Sequence, residues 1–281
     1  MSKVASEILG TEQNHIIKKM RKHQKGANQY KKDDLPAISE TKDILNIEYE
    51  NVQEQGQIFK INLSSYLDNG LFFDHRPLRT AIRETSSKKS VLNLFCYTGS
   101  FSVYAAQGNA SYIESVDLSN TYLNWTKQNM KLNGFSDKSK YVYTKADCIQ
   151  FLQEKAVAQK KIIAAKNQNI DIPPEIQKSA QTYDIIILDP PTFSNSKNTY
   201  NVLDINKDWK QLVKDSLNIL NPNGVLYFST NSERLKFNAE ELPKITISGC
   251  KIEYQDITAQ TIPNDYTGSK PHRCWKFTIS K

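Results

Sequence analysis

Tyr183-Asp184-Ile185-Ile186-Ile187-Leu188-Asp189-Pro190-Pro191-Thr192-Phe193 is the stretch that decides the fold. Its apolar half is short and unbroken, as expected of a strand buried on both faces of a parallel sheet. The strand ends in a carboxylate, two prolines and an aromatic ring. Proline fixes φ and lacks an N–H, so this turn is stiff and its carbonyls are expected to point outward unpaired. Open α/β sheets bind ligands at the carboxyl ends of their strands. Rigid acceptors beside an aromatic plate suit a flat, nitrogen-rich base.

Strands and helices alternate on either side of this stretch. Val91 to Phe95 reads as a strand, Ser100 to Gln107 as a helix closed by Gly108 in the usual C′ role. Tyr112 to Val116, ending at Asp117, is the next strand. A helix follows from Ser119 to Leu132 and stops at Gly134. Tyr141 to Tyr143, Ile185 to Leu188 and, after a turn at Asn223-Gly224, Val225 to Ser229 continue the series, with a helix from Trp209 to Leu220. Such alternation predicts a mainly parallel, doubly wound sheet. Two terminal β runs, Lys251 to Ile257 and Trp275 to Ile279, predict an antiparallel addition at one side. Residues 155–182, rich in Lys and Gln with Pro173-Pro174, read as a mobile surface excursion or an RNA-facing flap.

Ahead of this domain, Ile44 to Tyr49 and Ile58 to Leu63 alternate apolar with polar around Gln53-Glu54-Gln55-Gly56, a hairpin pattern. The predicted division is residues 1–80, a basic segment with a small β domain, and residues 81–281, the α/β domain. The chain carries 37 Lys and Arg against 30 Asp and Glu, net +7 over 281 residues. Much of the excess lies in Lys18, Lys19, Arg21, Lys22, Lys25, Lys31 and Lys32, either a solvated charge run or a phosphate-contacting arm. A hydrophobic content of 38% excludes wholesale disorder. The absence of a long apolar segment or leader predicts a cytoplasmic protein without a membrane partner. Cys96, Cys148, Cys250 and Cys274 form no CxxC pair, and neither His75 nor His272 has a partner at metal-ligand spacing, so no metal is expected.

Acids recur at the strand ends. The first βα turn, Phe95-Cys96-Tyr97-Thr98-Gly99-Ser100, holds one glycine, whose expected role is close backbone approach to a ligand. Asp117 lies about 20 residues beyond it, where a ribose-binding acid belongs. Asp147 follows the third strand and is placed to accept from an adenine amine. Each acid taken singly also reads as a helix cap. Gly99, Asp117, Asp147 and Asp189 together predict one crevice. A dinucleotide requires a glycine-rich pyrophosphate turn, which is missing here. S-adenosylmethionine needs no phosphate cradle and fits a single-glycine turn with two acids.

VLNLFCYTG (Val91–Gly99), Val116-Asp117-Leu118-Ser119, Asn129 to Gly134, Ala146-Asp147-Cys148 and DPPTFSNSK (Asp189–Lys197) resemble segments of the RlmK family, the C-terminal half of the RlmKL enzymes. Gln24-Lys25-Gly26 through Asn28-Gln29-Tyr30, Leu67 to Phe72 with Asp74-His75-Arg76, Phe228-Ser229 and Cys274-Trp275 extend the resemblance from about His15 onward. The resemblance implies a Rossmann-like class I methyltransferase sheet that binds S-adenosylmethionine. It implies methyl transfer to guanine N7 in 23S ribosomal RNA, free or in a pre-ribosomal particle. It places Asp117 on the cofactor ribose, Asp147 near adenine, and the first turn, with Phe95, Tyr97, Thr98 and Gly99, near the methionine moiety. Asp74 and Arg76 fall on the cofactor side, and Asn93, Leu118 and Cys148 are further cofactor-binding residues. The insertion at 155–182 is longer than the family usually carries, and the N2-guanine half of the fused members is absent.

The proposed catalytic group is Asp189, Pro190, Pro191 and Phe193. Phe193 is the candidate stacking plate for an extruded base, with Asp189 also near the cofactor. Guanine N7 has a free lone pair and no proton to lose, so no general base is required. The same acid-proline turn also suits an exocyclic amine, guanine N2 or adenine N6. A non-catalytic RNA-binding protein on this scaffold is the remaining alternative. Cytosine C5 chemistry needs a cysteine nucleophile, and Phe228-Ser229-Thr230-Asn231-Ser232 offers none. Asn231 is a candidate base or cofactor contact.

Overall fold

The computed structural model describes residues 2–17, 49–63, 68–194, 202–241 and 251–280. Its internal contacts divide the chain into two units, residues 1–71 and 72–281. The sequence reading divided it after residue 80. The helix Arg76–Thr85 packs on the helix Ser100–Gln107, which draws the segment from Phe72 into the larger unit.

The smaller unit holds the helix α1 (Ser2–Leu9) and the hairpin β1 (Glu50–Glu54) and β2 (Gln57–Ile61). The strands pair antiparallel from Glu50 opposite Ile61 to Glu54 opposite Gln57. The turn is Gln55-Gly56, both at positive φ, two residues as the right-handed strand twist favours. The first strand begins at Glu50, after the predicted Ile44–Tyr49, of which all but Tyr49 lies outside the described residues. So do the basic run Lys18 to Lys32, Leu67, Cys250 and Asn195-Ser196-Lys197, the end of the DPPTFSNSK motif.

The larger unit is built on a sheet that alternates with helices. In chain order these are α2 (Arg76–Thr85), β3 (Ser90–Leu94), α3 (Ser100–Gln107), β4 (Tyr112–Asp117), α4 (Asn120–Leu132), β5 (Tyr141–Lys145), α5 (Cys148–Asn167), α6 (Pro174–Ser179), β6 (Tyr183–Leu188), β7 (Phe193–Ser194), β8 (Leu203–Asp204), α7 (Ile205–Asn218), β9 (Leu220–Thr230), β10 (Lys251–Asp256), α8 (Thr258–Thr261) and β11 (Arg273–Ser280). Among the described residues, seven strands lie in the order β10-β11-β9-β6-β3-β4-β5. β9, β6, β3, β4 and β5 are mutually parallel, and β11 is threaded antiparallel between β9 and β10. The predicted α/β class, with its parallel core and antiparallel C-terminal strand, is the observed one.

Burial explains why Ile185-Ile186-Ile187-Leu188 carries no polar residue. β6 is central and covered on both faces. Leu92, Leu94, Ile186, Leu188, Leu226 and Phe228 belong to the core cluster that includes Phe151 and Leu152 of α5 and Trp209, Leu212 and Val213 of α7. Side chains alternate across a sheet, so Val91, Ile113, Ile185 and Ile187 face the other way. These are buried too.

Several local readings are corrected. Gly108 has φ −73 and is not a left-handed cap. A Cβ there would lie 2.1 Å from the carbonyl oxygen of Arg83, so the glycine admits α2 against the end of α3. Residues 155–182 are no structureless excursion. α5 continues to Asn167, with none of its buried side chains (Cys148, Phe151, Leu152, Ala156, Ala158) beyond Ala158, and α6 follows. α7 starts four residues early because Asp204 caps it, accepting the N–H of Asn206 at 3.1 Å. The expected turn at Asn223-Gly224 is a register shift within the longer strand β9, with Asn223 at φ 61.

Candidate active site

The parallel register brings the acids to one edge. Leu94 of β3 pairs with Val116 of β4 and with Leu188 of β6, so Phe95, Asp117 and Asp189 follow at one level. Asp117 pairs with Lys145, and Asp147 comes two residues later. Asp117, Asp147 and Asp189 thus share the carboxyl edge, as the sequence required.

Asp117 braces the first turn. Its Oδ2 accepts the backbone N–H of Tyr97 at 3.0 Å and its Oδ1 that of Ser119 at 2.9 Å. Burial raises the Asp117 carboxyl above the usual carboxylate range, against the pull of these backbone hydrogen bonds. The turn itself is folded through positive φ at Phe95 (53°), Tyr97 (50°) and Gly99 (75°). α4 clamps it from behind. Thr126 Oγ1 donates to the Tyr97 carbonyl and Asn129 Nδ2 to the Thr98 carbonyl, each at 2.9 Å. A Cβ on Gly99 would lie 2.3 Å from Thr126 Cγ2. The glycine is thus also required by its close approach to α4, beside the ligand approach expected of it.

The other candidates on this side differ in access. Tyr97 and Phe95 are half-buried, whereas Thr98 and Asn93 are buried, the latter donating to Ser102 Oγ at 2.9 Å. Leu118 is half-buried beside Asp117. Asp147 caps α5, accepting the N–H of Ile149 at 2.8 Å. Cys148 is buried and its Sγ accepts the Phe95 N–H at 3.2 Å. Burial, with Asp117 nearby, pushes both the Cys148 and Cys96 thiols well up, which fits packing and not nucleophilic work.

At the proline turn, Pro190 is buried, and Pro191, Thr192 and Phe193 are half-buried. Thr192 is tied twice: its carbonyl accepts the Ile205 N–H at 3.1 Å and its hydroxyl donates to Asn231 Oδ1 at 2.5 Å. The predicted outward carbonyls thus do not include that of Thr192. Phe193 is held by pairing of β7 with β8, opposite Asp204. Ser229 Oγ donates to Asp189 Oδ1.

A third group comes from the Asp74-His75-Arg76 segment. Arg76 forks onto both oxygens of Asp265. Asp74 Oδ2 meets Nδ1 of His272 at 2.9 Å, and His75 Nε2 lies 3.7 Å from Asp74 Oδ2 and 3.5 Å from Asp189 Oδ2. Burial alone would raise the Asp74 carboxyl; the hydrogen bond from His272 and the charge of the two histidines outweigh it and hold it low. Burial lowers the His75 imidazole, only partly offset by Asp189. The sequence found no partners for these histidines; the structure corrects this, bringing ligand-type atoms of Asp74, His75 and His272 within 4.8 Å of one another. The two rings are nearly parallel, 11° apart with centroids at 4.2 Å.

Aromatic rings border the same edge. Phe72 meets Tyr97 at 5.4 Å between centroids, and Tyr97 meets Tyr122 edge-on at 4.7 Å. Phe72 and Phe73 are 45% and 49% exposed, unusual for large apolar side chains within a structured segment. They and His272 were missed as site residues. The Leu71-Phe72-Phe73-Asp74 run was a visible signal for the phenylalanines, whereas no spacing rule connects His272 to Asp74.

A family model described as S-adenosylmethionine-dependent methyltransferase matches residues 22–182. The chain belongs to this family. Its cofactor is S-adenosylmethionine, and the site fits it: carboxylate acceptors at the ends of β4 and β5 match hydroxyl and amine donors of a nucleoside, and the single-glycine turn needs to hold no phosphate. Curated relatives include the ribosomal RNA large subunit methyltransferases K/L of Magnetococcus marinus and Shewanella sp. strain MR-4. The first is 40% identical over 278 residues, 99% of this chain and 33% of the relative. The second is 39% identical over 271 residues, 96% of this chain and 33% of the relative. The chain therefore spans about a third of the length of these methyltransferases. Among solved structures, SMU.776, a protein described as a methyltransferase and complexed with SAH, superposes with TM-score 0.60 at 25% identity over 82% of this chain and 56% of that one. An S-adenosylmethionine-dependent methyltransferase from Agrobacterium tumefaciens shares the fold at TM-score 0.60 and 21% identity, over 83% of this chain and 70% of that one. Among the described residues no helix is long and apolar enough to cross a membrane.

Proposed function

We propose that this chain transfers a methyl group from S-adenosylmethionine to N7 of a guanine in 23S ribosomal RNA, in the cytoplasm and on naked RNA or an assembling particle. The observation that carries the reading is the level placement of Asp117, Asp147 and Asp189 along one strand edge. The likeness to the K/L methyltransferases supports the ribosomal substrate.

In this reading Asp117 and Leu118 hold the cofactor ribose, and Asp147 with Cys148 borders adenine. Asn93, Phe95, Tyr97, Thr98 and Gly99 form the wall beside the methionine moiety, completed by Asp74 and Arg76. The bound cofactor supplies an electrophilic methyl on a sulfonium. Asp189, Pro190, Pro191 and Phe193 receive the extruded base, with Phe193 stacking on it, worth about 1–3 kcal/mol. Their task is alignment of N7 at about 3–3.5 Å from the methyl carbon. Guanine N7 fits an Asp189 whose Oδ1 is already engaged by Ser229, because N7 needs no proton acceptor. The basic run from Lys18 to Lys32 in the N-terminal portion supplies phosphate contacts.

Mapping of methylated nucleotides in large-subunit RNA from cells lacking the gene, with and without complementation, tests this. A lost and restored 7-methylguanine is expected. An N2- or N6-methyl product would transfer the reading to an exocyclic amine. Salt-sensitive RNA binding without any methyl transfer would leave only a binding protein.

A further inference from the structure

His75 is 6% exposed, and its Nε2 lies 3.5 Å from Asp189 Oδ2. We propose that His75 is a positioning residue for methyl transfer: its Nε2–H is the donor that fixes the Asp189 carboxylate for the base, and the Asp74–His272 pair fixes the His75 ring. The proposal rests on the base-side role given above to Asp189.

The tautomer follows from what each nitrogen faces. Nδ1 is buried with no hydrogen-bond partner. Nε2 faces two carboxylate oxygens, of Asp189 at 3.5 Å and Asp74 at 3.7 Å. A lone pair at Nε2 would confront two anionic oxygens, whereas a proton there is attracted by both. The ring's proton therefore belongs on Nε2. Burial and the neighbouring Arg79 and His272 oppose a second proton, while Asp74 and Asp189 favour one.

The ring is prevented from turning. One face lies on His272 at 4.2 Å, and Phe101 meets it edge-on at 5.5 Å and 70°. His272 is itself held at both nitrogens, by Asp74 Oδ2 at 2.9 Å and Thr261 Oγ1 at 3.0 Å. Asp189 is thus approached from two sides. Ser229 Oγ of β9 takes Oδ1, and His75 from the segment before α2 addresses Oδ2. At 3.5 Å the second contact is longer than a hydrogen bond. Catalytic hydrogen bonds are often long before the substrate complex forms, and a small swing of the carboxylate toward the base closes this one.

The test compares His75→Gln with His75→Asn in the full chain. Glutamine places an N–H near the ε position and asparagine near the δ position. Methyl transfer from tritiated S-adenosylmethionine to unmodified 23S RNA transcribed in vitro is followed, with Asp189→Asn alongside. His75→Asn is expected to lower kcat by about ten- to a hundredfold, the loss of a hydrogen bond to a charged group, while KM for the cofactor stays within about threefold. His75→Gln is expected to recover most of that loss. Equal activity of the two variants, or wild-type kcat in both, overturns the proposal. Asp189→Asn with full activity would instead remove the role of Asp189, whereas a slow Asp189→Asn beside a normal His75→Asn removes His75 alone. If His75→Asn does not fold, 15N spectra of the wild-type imidazoles decide: a proton on Nε2 is expected, and one on Nδ1 alone refutes the assignment.

Discussion

Asp117 accepts the backbone N–H of Tyr97 at 3.0 Å, so the acid ending β4 holds the turn that follows β3. One carboxylate therefore shapes the pocket wall and, in the proposed reading, also holds the ribose. Asp117→Asn removes the charge and turns one of the two oxygens that accept the Tyr97 and Ser119 N–H groups into a donor. Loss of a charged acceptor is worth about 1.5–3 kcal/mol, so affinity for S-adenosylhomocysteine should fall about ten- to a hundredfold by titration calorimetry. An unchanged Kd would remove Asp117 from the cofactor site.

The same residue sets a pH dependence. Burial raises its carboxyl, so it takes a proton at a higher pH than a free aspartate as acid is added. Cofactor affinity should accordingly decline on the acid side from above the ordinary aspartate range. The Asp117→Asn variant should show a flatter profile over that interval.

His75 gives a second pH prediction, now for stability. Its folded imidazole lies below the unfolded value of 6.5. Between the two values the unfolded chain binds more protons, so stability is lost as pH falls through 6.5 toward the folded value. Melting curves at pH 7.5 and 5.5 should show a larger drop for wild type than for His75→Gln. Parallel drops would contradict the buried neutral ring.

Phe193→Ala should reduce kcat/KM for RNA by about five- to a hundredfold, the worth of one base stack, with little change in cofactor binding. Phe193→Tyr keeps the ring and should stay close to wild type. If Phe193→Ala is silent, the exposed Phe72 and Phe73 are the next rings to replace.

Much of this site was legible because strand ends fall predictably. The strand segments Val91–Leu94, Tyr112–Val116 and Ile185–Leu188, the last of them wholly apolar, are short and bounded, so the residues after them lie at one edge whatever the helices do. Gly99 was found for a reason to which the structure adds another: its missing side chain makes room for Thr126, a contact set by helix packing that no local pattern encodes. Gly108 does close α3 as read, and its lack of a Cβ also admits the tight crossing with α2. The 155–182 region was missed because Lys and Gln are good helix formers without an apolar stripe, and a helix only half covered by the core leaves little periodicity. The pairing of His272 with Asp74 lay beyond sequence reasoning, being made by threading β11 into the sheet.

That threading has a consequence for the order in which the site is built during synthesis. A nascent chain that has emerged as far as β9 already contains Asp74, His75, Asp117, Asp147 and Asp189, and the five parallel strands can associate. It still lacks the imidazole that lies across His75 and the partner of Asp74, both delivered by the segment just before β11. The base-side brace is therefore among the last parts of the site to be completed, and a truncation before residue 272 should forfeit it.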